Sequence, residues 1–150
     1  MAIALQTWFA APVEFSVLGP LSVRIDGAPV SLGGAKQRAL LAMLLLRANA
    51  VVSRDSLIDG LWGEHAPATA DRSLDSHVSR LRRLLGPERI ERRAPGYLLH
   101  VEPDELDLDR FETLLEQGRA LARSGENAAA AHTLAEALTI WNGSALADVL

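Results

Sequence analysis

The chain of 150 residues contains no cysteine. Disulfide bonds and metal sites with cysteine ligands are therefore excluded, and the composition fits a reducing compartment such as the cytoplasm. Long apolar runs are also lacking: the segment 1–12 is apolar but short, and no basic stretch precedes it as in a signal peptide. We expect residues 1–12 to be a disordered or frayed lead-in, and we expect no contact with a membrane.

Signals for catalysis or cofactor binding are missing as well. The four histidines lack the spacing of metal ligands. Asp75, His77 and Ser79 are close in sequence, but residues two apart on a helix point about 200° apart and cannot form a catalytic relay. The segment Gly33–Lys36 has neither the spacing nor the following hydroxyl of a phosphate-binding P-loop. We therefore expect neither an enzyme nor a bound cofactor.

Lysine is almost absent, since Lys36 is the single example among 15 basic residues, and the charge is unevenly spread. Residues 1–102 hold 12 basic and 10 acidic side chains, whereas residues 103–150 hold 3 basic and 9 acidic ones. The net charges are therefore +2 and −6, which together give the −4 of the whole chain. This asymmetry is typical of a DNA-binding module joined to an acidic module.

The first hundred residues predict strands, then helices, then a hairpin. Apolar alternation and helical periodicity predict strands over 13–17, 21–25, 29–32, 89–93 and 97–101, and helices over 36–48, 54–61 and 69–85. Ser53 suits the N-cap of the second helix, and Gly86 ends the third. Pro95 and Gly96 suit the two central positions of a type II turn in the hairpin. This order of elements is that of a winged helix-turn-helix.

The predicted helix over 69–85 has two contrasting faces. Its apolar side chains share one narrow stripe, which contains Leu74, Val78, Leu81 and Leu85. The opposite face carries guanidinium groups and hydroxyls, from Arg72, Ser76, Ser79 and Arg83, with Arg80 at its edge. Such side chains can meet phosphates and base edges in a major groove. An ordinary amphipathic helix with a solvated basic face has the same pattern, so the flanking sequence must decide.

The acidic part of the chain begins after a linker-like segment over 102–105. Two more helices are predicted there, over 108–123 and 127–141. The small residues Gly118, Ala130 and Ala137 fit the spacing of one tetratricopeptide unit, and such a unit cannot bury its apolar face alone. We therefore expect either that the chain is a fragment or that residues 106–150 pack back on the first domain.

Three separated motifs occur in the order found in OmpR/PhoB-type winged-helix domains. They are Leu61–Gly63, Arg72–Leu85 and Gly96–Tyr97, and residues 13–102 resemble that domain. The runs Leu-Asp-Arg-Phe at 108–111 and Ala-Leu-Thr-Ile-Trp-Asn-Gly at 137–143 resemble the start of a bacterial transcriptional activation domain, which would occupy 106–150. Together the two parts resemble the SARP (AfsR/DnrI/RedD) class of antibiotic-pathway activators.

This resemblance implies an α+β fold in two parts. The first part would be a winged helix-turn-helix with an N-terminal three-stranded antiparallel sheet, three helices and a C-terminal β-hairpin wing. The second part would be an all-α segment of the tetratricopeptide type, forming the incomplete N-terminal portion of the activation domain.

The resemblance also implies roles for individual residues. Arg80 is expected to read guanine in the major groove, with Asp75 and Ser76 at neighbouring base-edge positions. Phosphate contacts are expected from Trp62, Arg72, His77 and Arg82. Arg93 is expected to enter the minor groove, and Tyr97 to contact the DNA backbone or anchor the wing. The predicted DNA-binding set is completed by Ser73, Ser79 and Arg83.

Several of these residues have structural alternatives. Arg82 lies near the apolar stripe and can instead bridge to acids beside Asp75. His77 can be a capping or packing residue, and Trp62 is expected to pack its ring while turning its indole N–H outward. Arg93, with its neighbour Arg92, can simply solubilise the hairpin.

The sequence therefore predicts a sequence-specific DNA-binding transcription regulator in the bacterial cytoplasm, associated with the nucleoid. The resemblance implies an activator of a biosynthetic gene cluster that binds promoter direct repeats, as a monomer in solution and head-to-tail on DNA. The loop over 63–68 would lie where this family often contacts RNA polymerase. Two alternatives stay open: a protein-interaction module, in which the basic helix docks an acidic partner or the segment 103–150, and a repressor without a functional activation domain.

Overall fold

The computed structural model describes residues 11–149, so most of the predicted lead-in lies outside the described residues. The elements in chain order are β1 (Val13–Ser16), β2 (Ser22–Ile25), β3 (Ala28–Pro29), α1 (Ala35–Leu46), β4 (Val52–Ser53), α2 (Arg54–Trp62), a 3-10 turn (Gly63–His65), α3 (Ala70–Leu85), β5 (Ile90–Arg93), β6 (Gly96–Leu99), α4 (Asp107–Arg123) and α5 (Asn127–Leu138). The predicted winged-helix fold, followed by a helical segment, is confirmed by this order.

The N-terminal sheet is antiparallel in the order β1-β2-β3. Asp26 and Gly27 form the tight turn between β2 and β3, and both have positive φ (53° and 77°), as a two-residue hairpin turn requires. The third strand is shorter than the predicted 29–32. Pro29 lacks an N–H, and pairing continues only through one bond from Val30 N to Val23 O at 2.9 Å.

The three helices of the winged domain enclose an apolar core. The predicted stripe on α3 is confirmed, because Leu74, Val78, Leu81 and Leu85 are all buried. Ser53 caps α2 as predicted, since its hydroxyl accepts the Ser56 backbone N–H at 3.0 Å. The core therefore fixes which side of α3 faces solvent.

The wing is the hairpin β5–β6, and β4 pairs with its β6 edge. The predicted type II turn is wrong: Arg93 pairs with Gly96, so the central residues are Ala94 and Pro95, whose peptide bond is cis. Gly96 is needed for another reason. A Cβ there would lie 1.9 Å from the Val52 carbonyl oxygen, because β4 passes directly over it.

The C-terminal helices α4 and α5 form a hairpin held together by small residues. Ala130 and Ala137 are buried, and a Cβ on Gly118 would lie 2.5 Å from Leu134 Cδ2. Helix α5 ends at Leu138 rather than at the predicted 141. The Thr139 hydroxyl donates to the Glu136 carbonyl at 2.6 Å, a local bond that competes with helix continuation.

The helical segment packs back on the N-terminal sheet. This agrees with the expectation that residues 106–150 pack on the first domain. The buried Asp107 carboxylate accepts the backbone N–H groups of Val17 and Leu18, at 2.9 and 3.0 Å, just after β1. Phe15 N donates to the Glu105 carbonyl at 2.7 Å. The segment that connects the winged domain to α4 is therefore held against the N-terminal sheet by the hydrogen bonds of Glu105 and Asp107.

The end of the chain makes a second set of bonds to the same region. Leu146 N donates to the Val17 carbonyl at 3.0 Å, and the Asp148 carboxylate accepts the Leu21 N–H at 2.8 Å and pairs with Arg38 of α1. The two parts of the chain thus share one packed interface. None of the helices between residues 11 and 149 is long and apolar enough to cross a membrane.

Candidate nucleic-acid interface

The solvent-facing side of α3 carries guanidinium groups that are not paired with acidic side chains of the described residues. Arg72, Arg80 and Arg83 are exposed, and no carboxylate of residues 11–149 lies within 4.0 Å of them. A shallow depression on this face is lined by Asp75, Ser76, Ser79, Arg80 and Arg83. The structure therefore brings most of the predicted base-reading set together on one open surface. Ser73, in contrast, is half-buried.

The acidic segment does not cover this surface. The hydrogen bonds of Asp107 and Leu146 go to Val17 and Leu18 after β1, and the exposed face of α3 stays open. The alternative in which the segment 103–150 docks on the basic helix is therefore wrong for the described part of that segment.

Asp75 is the one acidic residue of the described chain that lines the depression on α3, and it is already engaged. Its Oδ1 accepts a hydrogen bond from Arg54 Nη1 at 2.8 Å and another from the Tyr97 hydroxyl at 2.6 Å. The Arg54 bond is the main reason that the pKa of Asp75 lies below its usual value, with the Tyr97 bond adding to the effect. Asp75 therefore links α3 to the wing, while its base-edge role stays a prediction.

Arg54 is a functional candidate that the sequence analysis missed. It pairs with Asp75 and, at 3.2 Å, with Asp71, and its guanidinium lies 5.8 Å from the centre of the Tyr97 ring. The bond to Asp75 is the largest cause that raises the Arg54 pKa above its usual range. One signal was available: Arg54 opens α2, where a cation opposes the helix dipole and so needs partners elsewhere.

The wing is anchored by Tyr97, which is 2% exposed. Burial, and then its bond to Asp75, raises the pKa of the Tyr97 hydroxyl, which therefore stays a proton donor. Arg82 stacks over the same ring at 5.7 Å and donates to the Ile90 carbonyl at 3.0 Å. Tyr97 thus fits the predicted wing anchor. The alternative that Arg82 bridges to acids beside Asp75 is wrong, because a wing carbonyl takes its Nε–H.

The two wing arginines differ in their surroundings. Arg93 pairs with Glu91 at 2.5 Å on an exposed part of the strand. Arg92 lies opposite Tyr97 in the hairpin and so shares the face that meets α3, and its charge helps to lower the pKa of Asp75. Arg92 is therefore a second missed candidate, on the face of the hairpin that meets α3.

A third group of residues lies where α1, α2 and α3 meet. Lys36 Nζ donates to the Leu61 carbonyl at 2.8 Å and lies 5.2 Å from the centre of the Trp62 ring, which packs against the core. Burial, followed by the charges of Arg80 and Lys36, lowers the pKa of His77. Its Nδ1 is buried without a partner in the described residues. His77 is thus neutral near pH 7, which favours its packing alternative.

No group of three or more histidine and carboxylate side chains that could hold a metal ion is present among residues 11–149. A core-packed helix with free guanidinium groups, beside a basic hairpin, is instead the arrangement of a winged-helix DNA-binding domain. Residues 27–99 match the family described as "Transcriptional regulatory protein, C terminal", and residues 106–150 match "Bacterial transcriptional activator domain".

Similar proteins carry both parts. Transcriptional regulatory protein EmbR of Mycobacterium tuberculosis is 41% identical over 143 residues, covering 91% of this chain and 37% of EmbR. Regulatory protein DnrI of Streptomyces peucetius is 34% identical over 148 residues, covering 91% of this chain and 54% of DnrI. The solved structure of Mycobacterium tuberculosis EmbR in complex with a low-affinity phosphopeptide has a TM-score of 0.88 at 39% identity, over 93% of this chain and 38% of that one.

The chain belongs to the SARP family of transcriptional regulators. It spans between 37% and 54% of the length of these two relatives.

Proposed function

We propose that this chain binds promoter DNA in a sequence-specific manner, with α3 in the major groove and the wing in the adjacent minor groove. The observation that carries this proposal is the exposed face of α3. Its three free guanidinium groups face solvent, while Arg54 neutralises Asp71 and Asp75 on the same helix. A DNA backbone would thus meet cations without opposing acids.

The residues divide into readers and positioning contacts. Arg80 lines the depression on α3 and can donate two hydrogen bonds to guanine O6 and N7, with Ser76 and Ser79 beside it. Arg72 and Arg83 meet phosphates, as does the indole N–H of Trp62. Tyr97 contributes by holding the wing on α3 rather than by touching DNA.

The whole protein is proposed to activate a biosynthetic gene cluster. The match of residues 106–150 to an activator domain supports this role, and the relatives are themselves regulatory proteins by name. Each winged domain would occupy one promoter repeat, with protomers that are monomeric in solution and arranged head-to-tail on DNA in the bacterial cytoplasm and nucleoid. The loop over 63–68 is a proposed contact with RNA polymerase.

The test is a binding-site selection from random duplexes, followed by fluorescence anisotropy on the selected repeat and a scrambled duplex at two salt concentrations. We expect preference for the repeat and affinity that falls steeply with salt. Arg80→Ala is expected to cost about 1–3 kcal/mol and to relax base preference, whereas Arg72→Ala weakens binding to all sequences alike. Arg119→Ala on α4 removes the same charge and is the control.

The outcomes separate the alternatives. Unchanged base preference in Arg80→Ala would remove Arg80 as the reader. Absent or salt-insensitive binding by the wild-type chain would contradict the DNA-binding function and favour a protein-interaction module. Repression of a reporter by a chain that binds normally would contradict only the activator role.

A further inference from the structure

A second depression adjoins the base-reading surface at the start of α1. It is lined by Ser31, Gly33, Gly34, Gln37, Arg80, Arg83 and Leu84. Arg80 and Arg83 also line the depression on α3, so the two surfaces are continuous. No acidic side chain lines this second depression, which makes it electrically suited to an anion.

The start of α1, from which Gly34 and Gln37 line this depression, leaves backbone donors unsatisfied. The N-cap residue, Gly34, has no side chain to accept from the first backbone N–H groups, and the first turn contains no acid. The N–H groups of Ala35, Lys36 and Gln37 precede the first intrahelical bond, which Arg38 N donates to the Gly34 carbonyl at 3.0 Å. This helix end therefore presents a partial positive charge without an internal partner.

Gln37 provides a second, independent observation at this depression, which its side chain lines. Its side chain is only 6% exposed, yet its amide makes no hydrogen bond with any group of residues 11–149. The amide therefore reaches solvent at the depression with its hydrogen-bonding groups free. The amide lies against Gly33, where a Cβ would be 3.1 Å from Nε2, and Gly33 has φ of +88°. The glycine thus keeps the space beside the amide open.

We propose that the start of α1, the Gln37 amide and the guanidinium groups of Arg80 and Arg83 form a binding site for a phosphodiester of the DNA backbone. This inference rests on the proposed function, because it places the phosphate next to the groove that α3 enters. The shared arginines favour DNA over free phosphate, since one duplex can contact both depressions at once. The site would fix how far α3 enters the groove, independently of the base sequence.

Gln37→Glu tests the site while preserving the shape of the side chain. A carboxylate at this position repels a phosphate, but it favours the helix dipole and can cap the first N–H groups. We expect DNA affinity to fall about tenfold or more, equally for the selected repeat and a scrambled duplex, with the melting temperature unchanged or raised. Gln117→Glu, exposed on α4, makes the same charge change and is expected to bind like wild type.

Ala35→Pro removes a single backbone donor from the helix end that borders the depression. Proline is well accommodated at the first position of a helix, and Gly34 has the extended backbone (φ −78°, ψ −179°) that a residue before proline prefers. We expect this variant to keep its melting temperature and to lose about three- to tenfold in affinity for both duplexes. Agreement between the two variants would place the phosphate at the helix end itself.

Equal DNA affinity of Gln37→Glu and Gln117→Glu would overturn the site while leaving the proposed function standing. A wild-type chain that binds no duplex would remove the proposed function and this inference with it. Inorganic phosphate is the third probe. If it raises the melting temperature of wild type but not of Gln37→Glu, while both bind DNA equally, the site takes free phosphate and the DNA proposal is overturned.

Discussion

The Tyr97 hydroxyl donates a 2.6 Å hydrogen bond to the Asp75 carboxylate. This bond joins the wing directly to α3, the helix whose arginines face solvent. Arg54 completes the junction from α2 by pairing with the same carboxylate oxygen. Three elements that are far apart in sequence thus meet at one acid. The proposed entry of α3 and the wing into neighbouring grooves requires the two to be held in a fixed relation, and this junction holds them so.

Arg54→Gln is expected to weaken DNA binding although Arg54 is not proposed to touch DNA. Without it, Asp71 and Asp75 lie unneutralised on α3, the helix proposed to enter the groove. Each free carboxylate near a phosphate costs on the order of 1 kcal/mol in a solvated setting. The measurement is anisotropy on the selected duplex, with Arg47→Gln, an exposed arginine of the same charge change, as the control.

A second substitution shows whether repulsion is the cause. Asp71→Asn in the Arg54→Gln background removes one repelling charge and is expected to restore part of the affinity. A purely structural role for Arg54 would give no restoration, and that result would contradict this account.

The helices and their buried faces could be predicted because buried side chains recur in the sequence with the period of the helix. Leu74, Val78 and Leu81 repeat with the helical period, and the core forces that stripe inward. The free arginines on the opposite face follow from the same geometry. The candidate site was therefore predictable wherever a residue's role depends on which side of one helix it occupies.

The parts that escaped prediction depend on contacts between distant residues. Arg54 meets Asp75 and Tyr97 across 21 and 43 residues of sequence, and no local pattern records such a pairing. The wing turn differs from the predicted type II turn because the role of Gly96 is not backbone freedom in the turn. Its real constraint is the Val52 carbonyl of another strand, which no property of the hairpin sequence reveals.

The two wing arginines are expected to contribute unequally to DNA binding. Arg92 lies on the face of the hairpin that meets α3, whereas Arg93 already pairs with Glu91. We expect Arg92→Ala to weaken binding by about tenfold, within the range of a charged hydrogen bond, and Arg93→Ala to have the smaller effect. Salt-dependent anisotropy of both variants checks this order.

Glu91→Gln is the matched variant for that comparison, because it releases Arg93 and removes a negative charge. It is expected to tighten binding to any duplex. If Arg93→Ala instead costs more than Arg92→Ala, Arg93 leaves Glu91 on binding and is the residue that enters the minor groove.

Stability is expected to fall in acid through the pair of Arg89 and Glu105. Burial alone would raise the pKa of Glu105, but the bonds from Arg89, at 2.5 and 2.7 Å, and from the Glu102 N–H outweigh it and hold that pKa below 4.5. A lowered pKa in the folded chain adds stability above about pH 4.5, which is lost as the pH falls through the folded value.

Glu105→Gln isolates this contribution. At pH 7 we expect it to lower the free energy of unfolding by about 1–3 kcal/mol. Near pH 3 the difference from wild type should be smaller, because the stability that a lowered carboxyl pKa adds is lost progressively as the pH falls below the unfolded value. Urea denaturation at both pH values makes the comparison, with the exposed Glu88→Gln as control; a difference that does not depend on pH would contradict the assignment.

The junction between the winged domain and the helical segment is expected to depend on Asp107. Asp107 is 4% exposed, and its carboxylate accepts two backbone N–H groups, from Val17 and Leu18. An asparagine can accept only through one oxygen and places an NH₂ group against the remaining N–H. Asp107→Asn should therefore lower the free energy of unfolding by about 2–4 kcal/mol.

Asp109→Asn is the control that separates this effect from the helix dipole. Both acids lie in the first turn of α4, so both substitutions lose the same favourable interaction with the helix end, about 0.3–1 kcal/mol. Only Asp107→Asn should also accelerate hydrogen exchange at the Val17 and Leu18 amides, measured by NMR. Equal unfolding energies and equal exchange in the two variants would mean that the junction is held by apolar packing, with the Asp107 bonds contributing little.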